Sequence, residues 1–348
     1  MAQAPRHGAV LSQVLSASVP GCVDVAGRDG GVDAICHSGF LLRGKALARR
    51  DEELVLHRRV GVLGASSLVG RCLLKSLVDT GWEVKAFSRK AHSARQKGVD
   101  WHDLPLSPCP SEFQKLKEVP FWICVAPIWV LPEYFSMIEA AGAKRIVVLS
   151  STSRFTKSDS TDVTENAIAL RLVESEAAVT AWAERKGIVR VILRPTLIYG
   201  LGRDKNISEI AQFIRHFGFF PLFGAAQGLR QPVHAKVVAT ACVAAVTSPQ
   251  AANRAYNISG GETLTYREMV ARVFDATGRR SRFVTVPLVA FRLVVFFLRL
   301  LPRYRHWSVA MAERMNRDLV FDHSDAERDF GYAPGVFSIG ADDLQKEV

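Results

Sequence analysis

The stretch that most constrains this chain is Val60–Leu74. A short apolar run ends there at Gly64, a small-residue turn follows, and Gly70 leads into an apolar helix. A strand that turns through small residues into a helix offers backbone N–H groups and the positive end of a helix dipole at the turn. Such a place receives the pyrophosphate of a dinucleotide. Gly64 and Gly70 hold the outer positions of a three-glycine pattern, and Ser67 stands at the middle one, where the backbone approaches the phosphates. Ser67 fits there if its side chain turns away or itself donates to a phosphate oxygen. Ser66 and Leu68 complete the candidate cradle. The competing reading is a strand, turn and helix without a ligand.

Trp82–Arg89 reads as a second strand, after a helix closed by Thr80-Gly81. An acidic residue at its end would accept from the ribose 2′-OH of NAD, whereas an arginine accommodates the 2′-phosphate of NADP. Arg89 stands there, and no Asp or Glu follows Glu83 until Asp100, so NADP(H) is expected over NAD(H). As an ordinary solvated charge, Arg89 would carry no such preference.

With 348 residues, the chain can bury one large core or two modest ones. A hydrophobic content of 48% with 23% charged residues fits a soluble globular protein and excludes a disordered one. The six cysteines are scattered without a C-x-x-C, so neither a zinc site nor a disulfide framework is signalled. That usage fits a reducing, cytoplasmic compartment. The net charge of +11 is concentrated: residues 267–306 carry nine arginines against Glu268 and Asp275. Inside them lies Val286–Leu301, apolar but interrupted by Arg292 and Arg299. It is shorter than the roughly 20 apolar residues that span a bilayer. An amphipathic helix lying on an anionic membrane surface has this composition. A helix packed in a homodimer or on a substrate lobe has it too. No nucleic-acid-binding motif accompanies the charge.

Residues 1–58 are rich in Gly, Ala and Arg, lack sustained periodicity, and read as an irregular extension. Their lack of acids before Asp24 faintly suggests a targeting peptide, and an upstream translation start is the plainer alternative. From Arg59, strands and helices alternate, which predicts an α/β fold with a doubly wound parallel sheet over residues 59–193. Phe121–Ala126, Arg145–Ser150 and Val189–Leu193 read as strands; Leu131–Ala141 and Thr164–Lys186 read as helices, the second stopped by Gly187. Residues 194–348 are expected to form mainly a smaller substrate lobe, with segments returning to the core.

These elements in this order resemble the extended short-chain dehydrogenase/reductases, the NAD(P)-dependent epimerase/dehydratase family. The resemblance covers roughly residues 59–340. It implies a Rossmann-type fold and hydride transfer on a nucleotide-diphosphate sugar. Asp103-Leu104 fall where the family's third strand contacts adenine. Leu149–Ser153 (LSSTS) resembles the strand whose hydroxyl residues, here Ser151 with Thr152, bind the reacting oxygen. Arg194–Gly200 (RPTLIYG) is similar to R-P-x-x-x-Y-G, which brings Pro195 to the nicotinamide and Tyr199 to the substrate. In Gly224–His234, Arg230 matches an arginine that grips a sugar diphosphate, with Asn206 and His234 as further candidate substrate contacts. Asp322–Pro334 resembles the family's C-terminal motif.

The chain departs from the family where the proton is handled. The family's Tyr-x-x-x-Lys opens the helix after the serine strand, but Thr164–Glu176 (TENAIALRLVESE) holds neither residue. The tyrosine position falls on Asn166, Ala167 or Ile168, and Arg171 is left to replace the lysine's charge. After His234, Lys236 and Val237 stand where the family carries an Asp pair. Three functions fit. The chain is an atypical sugar epimerase or reductase in which Ser151 and Thr152 bind the carbonyl and Tyr199, His234 or an ordered water supplies the proton; a non-catalytic NADP(H)-binding sensor or assembly protein; or a reductase of simple ketones and aldehydes. A membrane-seated 286–301 segment would suit a sugar on a lipid diphosphate carrier.

Overall fold

The computed structural model describes residues 58–89, 97–104, 118–157, 162–289 and 309–345. The extension 1–57 and most of the basic apolar segment 286–301 lie outside the described residues. The chain begins with β1 (Arg59–Leu63), α1 (Leu68–Asp79), β2 (Glu83–Ser88), β3 (Val99–Asp103) and β4 (Phe121–Cys124). A 3₁₀ turn at Ile128–Tyr134 leads to α2 (Phe135–Ala140), β5 (Arg145–Leu149), α3 (Ser153–Thr156), α4 (Val163–Lys186) and β6 (Val189–Pro195). It then crosses into a second lobe with β7 (Ile198–Tyr199), α5 (Ile207–Phe217), β8 (Phe220–Phe223), β9 (Leu229–Arg230) and β10 (Val233–His234). Next, α6 (Ala235–Thr247) and β11 (Arg254–Ile258) return to the first sheet. Finally β12 (Leu264–Thr265), α7 (Tyr266–Ala276), β13 (Phe283–Val286) and α8 (Val309–Arg314) go back to the lobe, and α9 (Ser324–Phe330) lies against β11.

One seven-stranded sheet runs in the order β11-β6-β5-β4-β1-β2-β3, with every pair parallel. Its central strands are nearly uniform in burial, as in RVGVL, FWIC and RIVVL, because helices cover both faces. On one face α1 and α6 pack together through Leu73, Leu77, Val238 and Cys242. On the other, α2 and α4 enclose Trp122, Met137 and Trp182, and Trp182 stacks on Phe135 at 4.1 Å. Gly61 makes room for this layer, since a Cβ there would sit 2.6 Å from the Trp122 ring. The lobe has its own core of Ile207, Ile214, Val270 and Phe274.

α4 ends at Gly187, whose φ of 65° is the left-handed conformation a glycine stop supplies. The helix expected over Leu131–Ala141 is instead a 3₁₀ turn followed by a six-residue α-helix. Pro132 is the reason: lacking an N–H and crowding the preceding turn, it lets regular α winding begin only at Phe135. Among the described residues, no helix is long and apolar enough to cross a membrane.

Candidate functional site

The carboxyl ends of the parallel strands form the edge where ligands of such sheets bind, at the reversal of strand order between β1 and β4. At that point Gly64 has φ of 82°, and a Cβ on it would lie 2.5 Å from the Ala126 amide. A Cβ on Gly70 would lie 2.4 Å from the Gly64 carbonyl. Both positions therefore require glycine, because the turn presses directly on neighbouring backbone. Ser67 caps α1, its hydroxyl accepting from the Gly70 amide at 3.1 Å, and no acid stands in the first helical turn. The early amides at Leu68 and Val69 have no intrahelical partner, and the dipole there favours an anion. Ser66 is held by a 3.0 Å bond between its hydroxyl and that of Ser88. A pyrophosphate fits this cradle: small residues, a helix N-terminus and no carboxylate.

Arg89 lies exposed just beyond β2. Burial raises the Tyr134 hydroxyl pKa, and the nearby Arg89 charge opposes that rise. Asp103, also exposed, ends β3 in register with Ser88, and the Leu104 amide donates to the Ser88 carbonyl at 2.8 Å. The adenine-ribose edge thus carries an acid as well as an arginine.

At the ends of β5 and β6 the structure brings Ser151, Thr152 and Pro195 together. Thr152 is buried, and both its amide and its hydroxyl donate to the Pro195 carbonyl, at 3.1 and 3.2 Å. Its proton is spent on joining the two strand ends. Ser151 differs: its hydroxyl accepts from the Ser153 amide at 3.1 Å, which leaves its own proton to donate outward.

Beneath them lies a cluster that sequence reasoning missed. Buried Glu176 accepts from Ser150 at 2.5 Å, from Arg194 through Nε and Nη2 (2.7 Å at the shortest), and from Arg154. Arg154 and Arg194 both stand over the Phe155 ring, at 5.0 and 5.3 Å. The signal was present in the sequence: an arginine opening RPTLIYG at the end of an apolar strand needs a buried anion, and α4 supplies one.

Burial along α4 separates the three positions left open for the missing Tyr-x-x-x-Lys. Asn166 with Leu170, and Ala167 with Arg171, are all exposed, whereas Leu172 is buried and Ile168 packs on the same core. Ile168 and Leu172 lie two turns and one turn before Glu176 on the inward face of α4. Of the three candidate pairs, Ile168 with Leu172 is the one that lies on the inward face of α4. Arg171 does not stand in for the lysine; its guanidinium stacks on Trp129 at 4.7 Å.

Four expected site residues lie apart, at the lobe. Tyr199 is buried in the lobe core, with its hydroxyl donating to the Ser338 carbonyl at 2.9 Å. Burial raises its pKa, and its hydroxyl proton is engaged by the Ser338 carbonyl. His234 caps α6: its Nδ1 accepts from the Lys236 amide at 3.0 Å, so Nε2 donates to Asp343 at 2.9 Å. With both nitrogens engaged, it joins lobe and C-terminus rather than meeting a substrate. Burial alone would raise the Asp343 carboxyl, but bonds from His234, Gly340 and Leu201 outweigh it and hold the pKa at about 2. Asn206 is exposed at the start of α5, its amide donating to Asp204 at 2.9 Å. Arg230 is buried over the Tyr266 ring and donates to the carbonyls of Leu229 and Arg317, each at 2.7 Å, and of Arg314. Its fork is committed to stapling the end of α8, and burial lowers its pKa to about 10.

Residues 134–259 match the NAD dependent epimerase/dehydratase family. An uncharacterised protein, y4nG, of Sinorhizobium fredii is 27% identical over 210 residues, 56% of this chain and 50% of that protein. UDP-glucose 4-epimerase of Vibrio cholerae is 25% identical over 39% of this chain and 42% of its own. A mitochondrial NADH dehydrogenase alpha subcomplex subunit 9 of Arabidopsis thaliana is 29% identical over 28% of this chain and 24% of its own. The chain thus spans half or less of the length of these curated relatives. Among solved structures, UDP-glucuronic acid 4-epimerase of Bacillus cereus superposes with a TM-score of 0.61. The match covers 82% of this chain and 94% of that one at 13% identity. That structure holds NAD, as do those of Thermus thermophilus UDP-glucose 4-epimerase and of MoeE5. The expectation of NADP(H) is corrected accordingly to NAD(H). Arg89 is exposed at the end of β2, on the edge where Asp103 also stands. The cradle after β1, the strand order and the RPTLIYG segment agree with the match of residues 134–259 to that family, and the fold is the one these epimerase structures share.

Proposed function

We propose that this chain is an NAD(H)-dependent oxidoreductase of the sugar-epimerase kind, acting on a nucleotide-diphosphate sugar. The observation that carries this reading is the cradle after β1, where Gly64 and Gly70 cannot bear a Cβ and α1 opens without an acid. A nicotinamide dinucleotide bound there supplies hydride transfer. Around it, the α1 amides hold the pyrophosphate, and Asp103 and Leu104 border the adenine end. Ser151 donates its proton to the substrate oxygen while Thr152 and Glu176 hold the strand ends in place. No tyrosine on α4 replenishes the single proton that the substrate oxygen takes up with the hydride, so it reaches Ser151 from water. The loss of a positioned general acid slows turnover by roughly 10²–10⁴-fold. Titration of the purified protein with NADH, followed by UDP-glucose and UDP-glucuronic acid turnover, tests this. NADH binding with slow turnover supports it, and absence of binding removes it.

The second reading is an NAD(H)-binding assembly protein without turnover. The apolar pair Ile168 and Leu172 favours it, as does the partial likeness to a respiratory-complex subunit. NADH binding with no turnover of any nucleotide sugar would select it.

A further inference from the structure

On the lobe, α5 ends in a knot of rings: Phe213 lies 4.5 Å from Phe217, and Phe219 lies 5.8 Å from Phe213. Phe217 is 54% exposed although it is large and apolar. Gly218, with φ of 75°, turns the chain into β8, which pairs in parallel with β13. That pairing brings the 279–284 segment against the knot. Arg279 donates to the Arg215 carbonyl at 3.0 Å, and the Phe220 amide donates to the Arg282 carbonyl at 2.9 Å. Arg279, Arg280 and Arg282 are all exposed, as are Val284 and Val289. The two segments that meet here are free of acids: no Asp or Glu occurs between Glu209 and Glu262, or between Asp275 and Glu313. The acids that flank these segments are Asp275 at the end of α7 and Glu313, next to the Ala312 that packs on Val286 and Leu288.

We propose that this face of the lobe, where Phe217 and Val284 are exposed beside the segment that carries Arg279, Arg280 and Arg282, docks on an anionic lipid surface. Exposed rings and aliphatic chains enter the interface, while guanidinium groups meet the lipid phosphates, and both contributions add. Charge complementarity selects this occupant over a second copy of the chain, since two such faces would repel each other. Single-stranded nucleic acid fits less well, because it needs successive rings for stacking and this face exposes a single large one. The chain also continues from Val289 into residues 290–305, with Phe296, Phe297 and four further arginines and no acid. The seat is independent of the dinucleotide reading, for none of these residues belongs to the cradle.

The test is co-sedimentation of the full chain with phosphatidylcholine vesicles, with and without phosphatidylglycerol. The expected result is binding only to anionic vesicles, reversed by high salt. Arg280→Glu with Arg282→Glu, and separately Phe217→Ser, should each weaken it by about tenfold or more with NADH titration unchanged. Variants that bind vesicles as tightly as the parent would overturn the proposal, as would a parent that stays in solution. So would a change in oligomeric state on Phe217→Ser without vesicles, or binding of a single-stranded oligonucleotide in preference to anionic vesicles.

Discussion

The carboxyl ends of β1 and β5 belong to the same sheet, yet they have diverged in opposite directions. After β1 the turn suits an anion: two glycines pressed onto backbone, a helix cap, and a first turn without acid. After β5 the strand end is equally well built, tied to β6 by Thr152 and underpinned by Glu176 between two arginines. Yet the helix face above it is aliphatic where a proton-transferring pair would stand. Binding machinery and proton machinery are separable in this fold. The first is made by backbone, which few substitutions can improve. The second rests on two side chains, which can be lost with the helix and its packing intact.

The largest effect is expected at the underpinning. Glu176→Ala leaves Arg154 and Arg194 without their anion and should cost about 3–5 kcal/mol in urea unfolding. A loss below about 1 kcal/mol would mean that the cluster is hydrated and does not hold β5 to β6. Gly64→Ala comes next, since it forces a Cβ against the Ala126 amide at a φ of 82°. It should cost about 1–3 kcal/mol and weaken NADH binding at least tenfold, read by fluorescence titration. Unaltered NADH affinity would show that the cradle is not where the dinucleotide lies.

Ile168→Tyr addresses the other side of the comparison. Returning a phenol to the inward face of α4 should raise nucleotide-sugar turnover by roughly 10²-fold. No gain, with NADH still bound, would favour the assembly reading over the enzyme. At the hinge between sheet and lobe, the Asp343 carboxyl is held at about 2, below the 3.8 of an unperturbed group. Its contribution is therefore complete above about pH 4 and is lost as pH falls from about 4 towards 2, an effect of about 1–2 kcal/mol. Melting curves across that window should show the loss in the parent and a flatter response in Asp343→Asn. The smallest effect belongs to Arg89→Ala, where NADH affinity should change by less than about twofold, as for a solvated surface charge. A larger loss would return Arg89 to the cofactor.

How far the residues could be read in advance differs between these regions for the same reason. The glycine turn was legible because backbone demands leave their mark at fixed spacing: Gly64 and Gly70 are needed wherever a strand turns so tightly into a helix. Gly187 likewise ended α4 where a left-handed stop was expected. The Leu131–Ala141 helix was misjudged because Pro132 acts locally against an apolar periodicity that suits either winding. Arg230, His234 and Tyr199 looked like substrate contacts because their residue types suit that chemistry. Their partners, the carbonyls of Arg314 and Arg317, the Asp343 carboxylate and the Ser338 carbonyl, come from 84 to 139 residues further along the chain.

What the sequence determined by itself is the alternation of elements, the parallel sheet and the glycine turn after β1. These follow from periodicity and from steric rules that act within a few residues. Only the tertiary structure decided which side chains are committed. It turned Ile168 and Leu172 to the inward face of α4, buried Glu176 between Arg154 and Arg194, and turned Arg230 into a staple. Such commitments depend on where distant carbonyls and carboxylates come to rest, and a hydrogen bond of about 3 Å carries no trace in spacing along the chain.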